Sequence, residues 1–186
     1  GAAGSARSST STVPAAPSAV PLAEHGWDIA ALGAAIASCN ACSLCEGRKA
    51  AVFPVQPVLR QADWLVVGDP PTDEDERAGA AFAGQAGELL DNMLRAVQRT
   101  RDGSGAAGAW LTNVVKCRPA VARNPHADEL ARCAEYLRHE VALVQPRVIL
   151  AMGRFAALSL LVGADPEVAK VPFGKLRGQV FAFEGV

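Results

Sequence analysis

The stretch "ADWLVVGDPPTDEDERAGAAFAGQAGELLDNMLRAVQRT" (residues 62–100) decides the architecture. Its opening, 62–69, has the apolar density and β-branched content of a buried strand. Its end, 87–100, sets Leu89, Leu90, Met93, Leu94 and Val97 at helical spacing behind Gly87. Between them lies a loop with four consecutive acids, Asp73 to Glu76. A lone aromatic, Phe82, follows among Ala80, Ala81, Ala83 and Gly84. The loop lacks the lysine and helix-opening glycines of a phosphate-binding loop. The small neighbours of Phe82 suggest close approach by another group, and the alternative reading is a core phenylalanine.

The same alternation continues outward. "GAWLTNVV" (108–115) and "RVILAMG" (147–153) read as strands, and "QVFAFEGV" (179–186) as a fourth. Residues 126–144, opened by Pro125 and an acidic first turn, read as an amphipathic helix. Residues 154–163 read as another helix, and 28–38 as a short one that feeds a cysteine cluster. Strands alternating with helices predict an α/β fold: a doubly wound, largely parallel four-stranded sheet flanked by helices. Ligand-contacting loops in such a sheet follow the strand ends, here after Val67, Asn113 and Met152. Residues 1–24, rich in Ala, Ser and Pro, read as a flexible leader, and 25–186 as the domain.

Composition narrows the class. Of 186 residues, half are apolar, which suits one globular domain rather than a disordered chain. No run of about 18 apolar residues occurs, so no membrane span is expected. The first residues lack the pattern of a secretory signal, and a cytoplasmic setting is expected. The net charge of −1 hides an asymmetry. Residues 1–113 hold 8 Lys/Arg against 12 Asp/Glu, and residues 114–186 hold 10 against 7. A polyanion would approach the second half more readily.

The five cysteines carry more information. Cys39, Cys42 and Cys45 form C-x2-C-x2-C, and Cys117 and Cys133 stand far along the chain. In a chain expected to be cytosolic, clustered cysteines point to metal or redox chemistry rather than disulfides. Thiolates hold zinc or iron–sulfur clusters, and spacing alone leaves both open, as well as which cysteine is spare.

"CNACSLCEGR", "VVGDPPTDEDERAGAAFAGQAGELLDNML", "LTNVVKCRPAVARNP", "ELARCAEYL" and "QPRVILAMGRFAALSLL" occur in that order. Together they resemble the type-4, iron–sulfur uracil-DNA glycosylases over roughly residues 28–186. The resemblance implies an enzyme of base excision repair that flips uracil out of DNA and hydrolyses its N-glycosidic bond, leaving an abasic site. It implies a [4Fe–4S] cluster on Cys39, Cys42, Cys117 and Cys133, tying down the N-terminal helix, with Cys45 spare. It makes Phe82 the ring that stacks on the base and Asn113 the amide that reads its edge. The backbone of Asp69, Pro70 and Pro71 then borders the base, and Asp69 or Asp75 orients the water.

Lys116, Arg118 and Arg123 are the expected phosphate contacts, in a proline-interrupted segment that otherwise reads as a solvated connection. The expected partner is uracil-containing DNA, with no membrane and a monomeric protein. The family's Gly-Glu-x-Pro-Gly loop is here Gly68-Asp69-Pro70-Pro71-Thr72, and Thr72 is expected to crowd a tight turn. The family also carries a His-Pro-Ser/Ala-like segment after the strand that begins here at Gln179, so the domain is expected to be cut short at Val186. Two other readings stand beside the enzyme. One is a catalytically weakened glycosylase-like iron–sulfur module that only binds DNA. The other is a zinc-stabilised nucleotide-binding domain, which the absence of a Walker-type or Gly-x-Gly-x-x-Gly loop disfavours.

Overall fold

A computed structural model of the chain describes residues 27–53, 61–119, 123–162 and 166–186. The expected leader, 1–24, lies outside the described residues. Three strands form the sheet: β1 (Ala62–Gly68), β2 (Gly105–Asn113) and β3 (Val148–Met152). They are all parallel, in the order β2-β1-β3. Among the described residues six α-helices accompany them: α1 (Ile29–Ser38), α2 (Asp73–Ala78), α3 (Gln85–Ala96), α4 (Ala127–Val144), α5 (Arg154–Val162) and α6 (Phe173–Leu176). None is long and apolar enough to cross a membrane, among the described residues.

The pleat of β1 sorts its side chains between two layers, because successive residues point to opposite faces. Val66 packs with Leu90 and Leu94 of α3 and Ala109 of β2. Leu65 and Val67 pack on the other face with Leu137 and Val141 of α4 and Ala156 and Leu160 of α5. The sheet is therefore covered on both sides, as a buried parallel sheet requires. Helix α1 buries Ile29, Leu32 and Ile36 against Phe53, Trp110 and Tyr136.

Register puts the three strand ends in one row: Gly68 pairs with Asn113 on one side and with Met152 on the other. The chain leaves central β1 for β2 and later returns to β3 on the opposite edge, so the connections diverge above that row. A crevice at the carboxyl ends of the strands follows from this topology.

Three expectations are corrected. Residues 179–186 form no fourth strand. Gly178, Glu184 and Gly185 take left-handed backbone (φ 71°, 48° and 88°), which breaks an extended run, and Val180 is 97 % exposed. The acidic run is not a loop but helix α2. Thr72 does not crowd a turn: it sits in extended backbone and caps α2.

Candidate active site and cysteine cavity

The floor of the crevice is built by α2 and the turn that follows. Thr72 Oγ1 accepts from the Asp75 N–H at 3.1 Å, and Asp75 Oδ2 accepts from the Thr72 N–H at 2.8 Å, a reciprocal capping box. The other Asp75 oxygen reaches forward and accepts from the Ala83 N–H at 2.7 Å. One buried carboxylate thus locks the start of α2 to the turn that carries Phe82. Phe82 is held at φ 56°, a conformation that β-carbon sterics disfavour, so its surroundings must impose it. Arg101 donates to its carbonyl at 3.2 Å and is itself paired with Asp91 at 2.8 Å. A β-carbon at Gly68 would stand 2.5 Å from Phe82 Cζ, and one at Gly87 1.7 Å from the Phe82 carbonyl oxygen. Both positions must be glycine for the ring to lie across the end of β1.

The wall is formed by Asn113 and Asp69. Asn113 Nδ2 donates to the Asp69 carbonyl at 2.9 Å. That carbonyl can only accept, so Oδ1 is the remaining end of the amide. Oδ1 is buried and has no hydrogen-bond partner among the described residues. The Asp69 carboxylate turns to α5: its Oδ1 accepts from the Phe155 and Ala156 N–H groups at 2.8 and 3.0 Å. Those are first-turn donors with no partner inside the helix. Gly153 makes the approach possible, since a β-carbon there would fall 2.3 Å from Asp69 Cγ, and its φ is 124°. Pro71 is buried and Pro70 half-buried between these groups. A separate apolar groove of about 810 Å³ is walled by α3, β3, α5, α6 and the C-terminal tail. Phe82 is among its lining residues, but Asn113 and Asp69 are not.

On the opposite layer, Cys39, Cys42, Cys117 and Cys133 line a single cavity, together with Ile36, Leu44, Arg48, Lys116, Arg132 and Tyr136. Cys45 does not line it. All five thiols are free. Arg48 braces the cavity, donating to Cys117 Sγ at 2.9 Å and to the Ala37 and Cys39 carbonyls at 2.8 Å each. The Lys116 N–H points at Cys133 Sγ at 3.3 Å. Burial pushes the Cys133 thiol up to about 12 and raises Cys117 and Cys42 as well, with Arg48 opposing the rise at Cys117. Among the described residues no three cysteine, histidine or acidic groups meet closely enough for one metal ion.

The sequence pattern of the Uracil DNA glycosylase superfamily matches residues 57–183. The chain belongs to that superfamily. It is 32 % identical to the Type-4 uracil-DNA glycosylase of Archaeoglobus fulgidus over 149 residues, 80 % of this chain and 70 % of that protein. It is 34 % identical to the Type-4 enzyme of Pyrobaculum aerophilum over 154 residues, 83 % of this chain and 74 % of the relative. For the Type-4 enzyme of Sulfurisphaera tokodaii the figures are 28 %, 80 % and 64 %.

In this member of the superfamily the three expected phosphate contacts separate. Lys116 is 1 % exposed and cannot reach a phosphate. The strand end turns its side chain inward, and its ammonium pairs with buried Glu140. Arg118 and Arg123 remain at the surface, each held by a carboxylate: Glu76 at 3.1 Å and Glu129 at 2.7 Å. Arg123 and the Ser43 hydroxyl lower Glu129 to about 2. Sequence reasoning missed Gly153, Arg48, Arg101 and the Lys116–Glu140 pair. A signal existed only for Gly153, a glycine at a strand-to-helix junction; the others depend on residues far apart in the chain.

Proposed function

We propose that the chain excises uracil from DNA, hydrolysing the bond between C1′ of the deoxyribose and N1 of the base. The observation that carries this reading, in a chain of this superfamily, is the orphaned Asn113 Oδ1, a buried acceptor on the residue paired with Gly68, whose face the Phe82 ring covers. Uracil has a donor, N3–H, where cytosine has a bare acceptor. A fixed Oδ1 therefore accepts from uracil and meets cytosine lone pair to lone pair, which separates the two bases strongly. Phe82 stacks on the flipped base, and the Asp69–Pro70–Pro71 backbone borders it.

As the C1′–N1 bond breaks, its electron pair stays on N1 and the sugar becomes cationic. Water adds to C1′ and gives up a proton, so the products are an abasic site and neutral uracil. Asp69 suits the water-orienting role. Its Oδ1 is held by the α5 N–H groups, which fix the carboxylate, and no described donor is bonded to Oδ2. Its negative charge also favours the developing cation. Asp75, with both oxygens on backbone N–H groups, is a positioning residue for Phe82. Arg118 and Arg123 lie at the surface where the DNA backbone is met.

Cys39, Cys42, Cys117 and Cys133 would hold a [4Fe–4S] cluster, a structural tie between α1, the end of β2 and α4 that supplies no redox step to base removal. One feature supports the fit: these four thiols line a single cavity that excludes Cys45. The decisive experiment is release of uracil from a single-stranded uracil oligonucleotide, read by strand cleavage after alkali. Turnover that disappears with Asn113→Ala supports the reading, and a wild-type chain with iron bound but no uracil release defeats it.

A further inference from the structure

We propose that Lys116 is a positioning residue for uracil readout, its buried ammonium holding the main chain from which Asn113 projects. The inference rests on the glycosylase reading above. Lys116 and Glu140 are 1 % and 0 % exposed. Lys116 Nζ meets the Glu140 carboxylate, the Thr112 hydroxyl at 2.5 Å and the Asn113 carbonyl at 2.9 Å. Two N–H bonds of the ammonium are thus donated, to Thr112 and to the Asn113 carbonyl, and Glu140 supplies the opposing charge. Glu140 Oε1 faces the ammonium as an ion pair without aligned hydrogen-bond geometry, while Oε2 accepts from Trp110 Nε1 at 2.9 Å.

Stability does not explain this arrangement. Desolvating an ammonium and a carboxylate offsets most of their attraction, and apolar replacements of buried pairs are often as stable. What an apolar side chain cannot do is grip the Asn113 carbonyl. The same peptide unit is held at its other end, where the Val114 N–H donates to the Gly68 carbonyl at 2.8 Å. With both ends fixed, the Asn113 backbone cannot swivel, and its amide keeps Nδ2 on Asp69 and Oδ1 without a donor. An amide free to turn would offer uracil and cytosine either end.

The test is Lys116→Met combined with Glu140→Gln, which leaves no lone buried charge, with fold checked by thermal melting and visible absorbance. The first readout is hydrogen exchange of the Val114 amide and the Asn113 side-chain amide, which needs no activity. Exchange at these sites should quicken by about tenfold or more relative to the rest of β2. The second is kinetic: kcat on uracil should fall about tenfold with KM within about twofold, and discrimination against cytosine should narrow. In an Asn113→Ala background the pair should change kcat by less than about twofold, because its effect runs through Asn113. Unchanged exchange, or the same fall in kcat with and without Asn113, overturns the proposal. If the double variant does not fold, Lys116→Gln is put through the same comparison. A wild type that releases no uracil defeats the glycosylase reading, while the exchange readout still decides this one.

Discussion

Asn113 and Cys117 stand four residues apart at the end of β2, yet their surroundings obey opposite rules. Around Cys117 the buried polar groups are matched: Arg48 donates to its sulfur and to two carbonyls, and Lys116 N–H points at Cys133. Nearby, Glu129 accepts from Ser43, His126 and Arg123. Around Asn113 the main chain is just as firmly held, but one side-chain oxygen is left without a donor. A scaffold satisfies its buried polar groups, because an unpaired one costs about 1–3 kcal/mol. Among the described residues three buried side-chain atoms break this rule, Arg99 Nε, Glu140 Oε1 and Asn113 Oδ1. Glu140 Oε1 faces the Lys116 ammonium, and Asn113 Oδ1, at the strand ends, is where a ligand is expected to supply the missing donor.

The comparison breaks most visibly on the cysteine side. On the proposed cluster, anaerobically purified protein is brown with iron, and Cys133→Ser should abolish that colour and lower the melting midpoint by more than about 10 °C, since a bound cluster stabilises only the folded chain. Cys45→Ser, outside the cavity, should keep the colour and shift the midpoint by no more than about 2 °C. Equal loss of colour in both would mean that the cavity does not select its four thiols. On the Asn113 side the pattern inverts. Asn113→Ala should lower kcat/KM for uracil about 10²–10³-fold, as loss of a directed site contact does. Its melting midpoint should move only a few degrees, because one hydrogen bond to Asp69 is all the fold loses.

A smaller break lies between the two regions, at Gly153. Alanine there would push a methyl group to within 2.3 Å of Asp69 Cγ at a φ of 124°. Displacing the Asp69 carboxylate from α5 should cost about 1–3 kcal/mol of stability and lower kcat about tenfold. Denaturant unfolding and single-turnover kinetics read the two effects separately, and a stable variant with full activity would remove Asp69 from the water-orienting role.

How much of this was legible in the chain depended on the range of the interactions. The alternation of apolar runs gave β1 to β3 and their helices because burial imposes local periods on sequence, and strand-end logic located Asn113 beside Gly68. The tail misled because the apolar run within 179–186 read as a strand, while the left-handed residues Gly178, Glu184 and Gly185 bend the chain away. Lys116 misled for a different reason. Its basic neighbours suggested a phosphate loop, and nothing local signals that Glu140, on α4, waits inside to receive it. Thr72 read as an obstacle in a glycine position, and only the helical state of the acidic run reveals it as a cap.

The smallest effect tests the matched side of the comparison at its outer edge. Glu129 sits at about 2 when folded, below its ordinary 4.5, because Arg123 and then Ser43 and the His126 N–H hold it ionised. A carboxylate depressed on folding contributes stability that is fully present above about pH 4.5 and is lost as pH falls toward about 2. Glu129→Gln removes that contribution, so the stability curves of wild type and variant should lie apart at pH 7 and converge between pH 4.5 and 2. Arg123 is about one-third exposed, and solvent screening keeps the gap modest. Salt should narrow it further at pH 7, whereas the Asn113→Ala loss of activity should keep its size at every salt concentration, because a short buried hydrogen bond to a base is not screened. Parallel acid limbs in wild type and Glu129→Gln would show that Glu129 is not what ties the Cys42–Cys45 turn to α4.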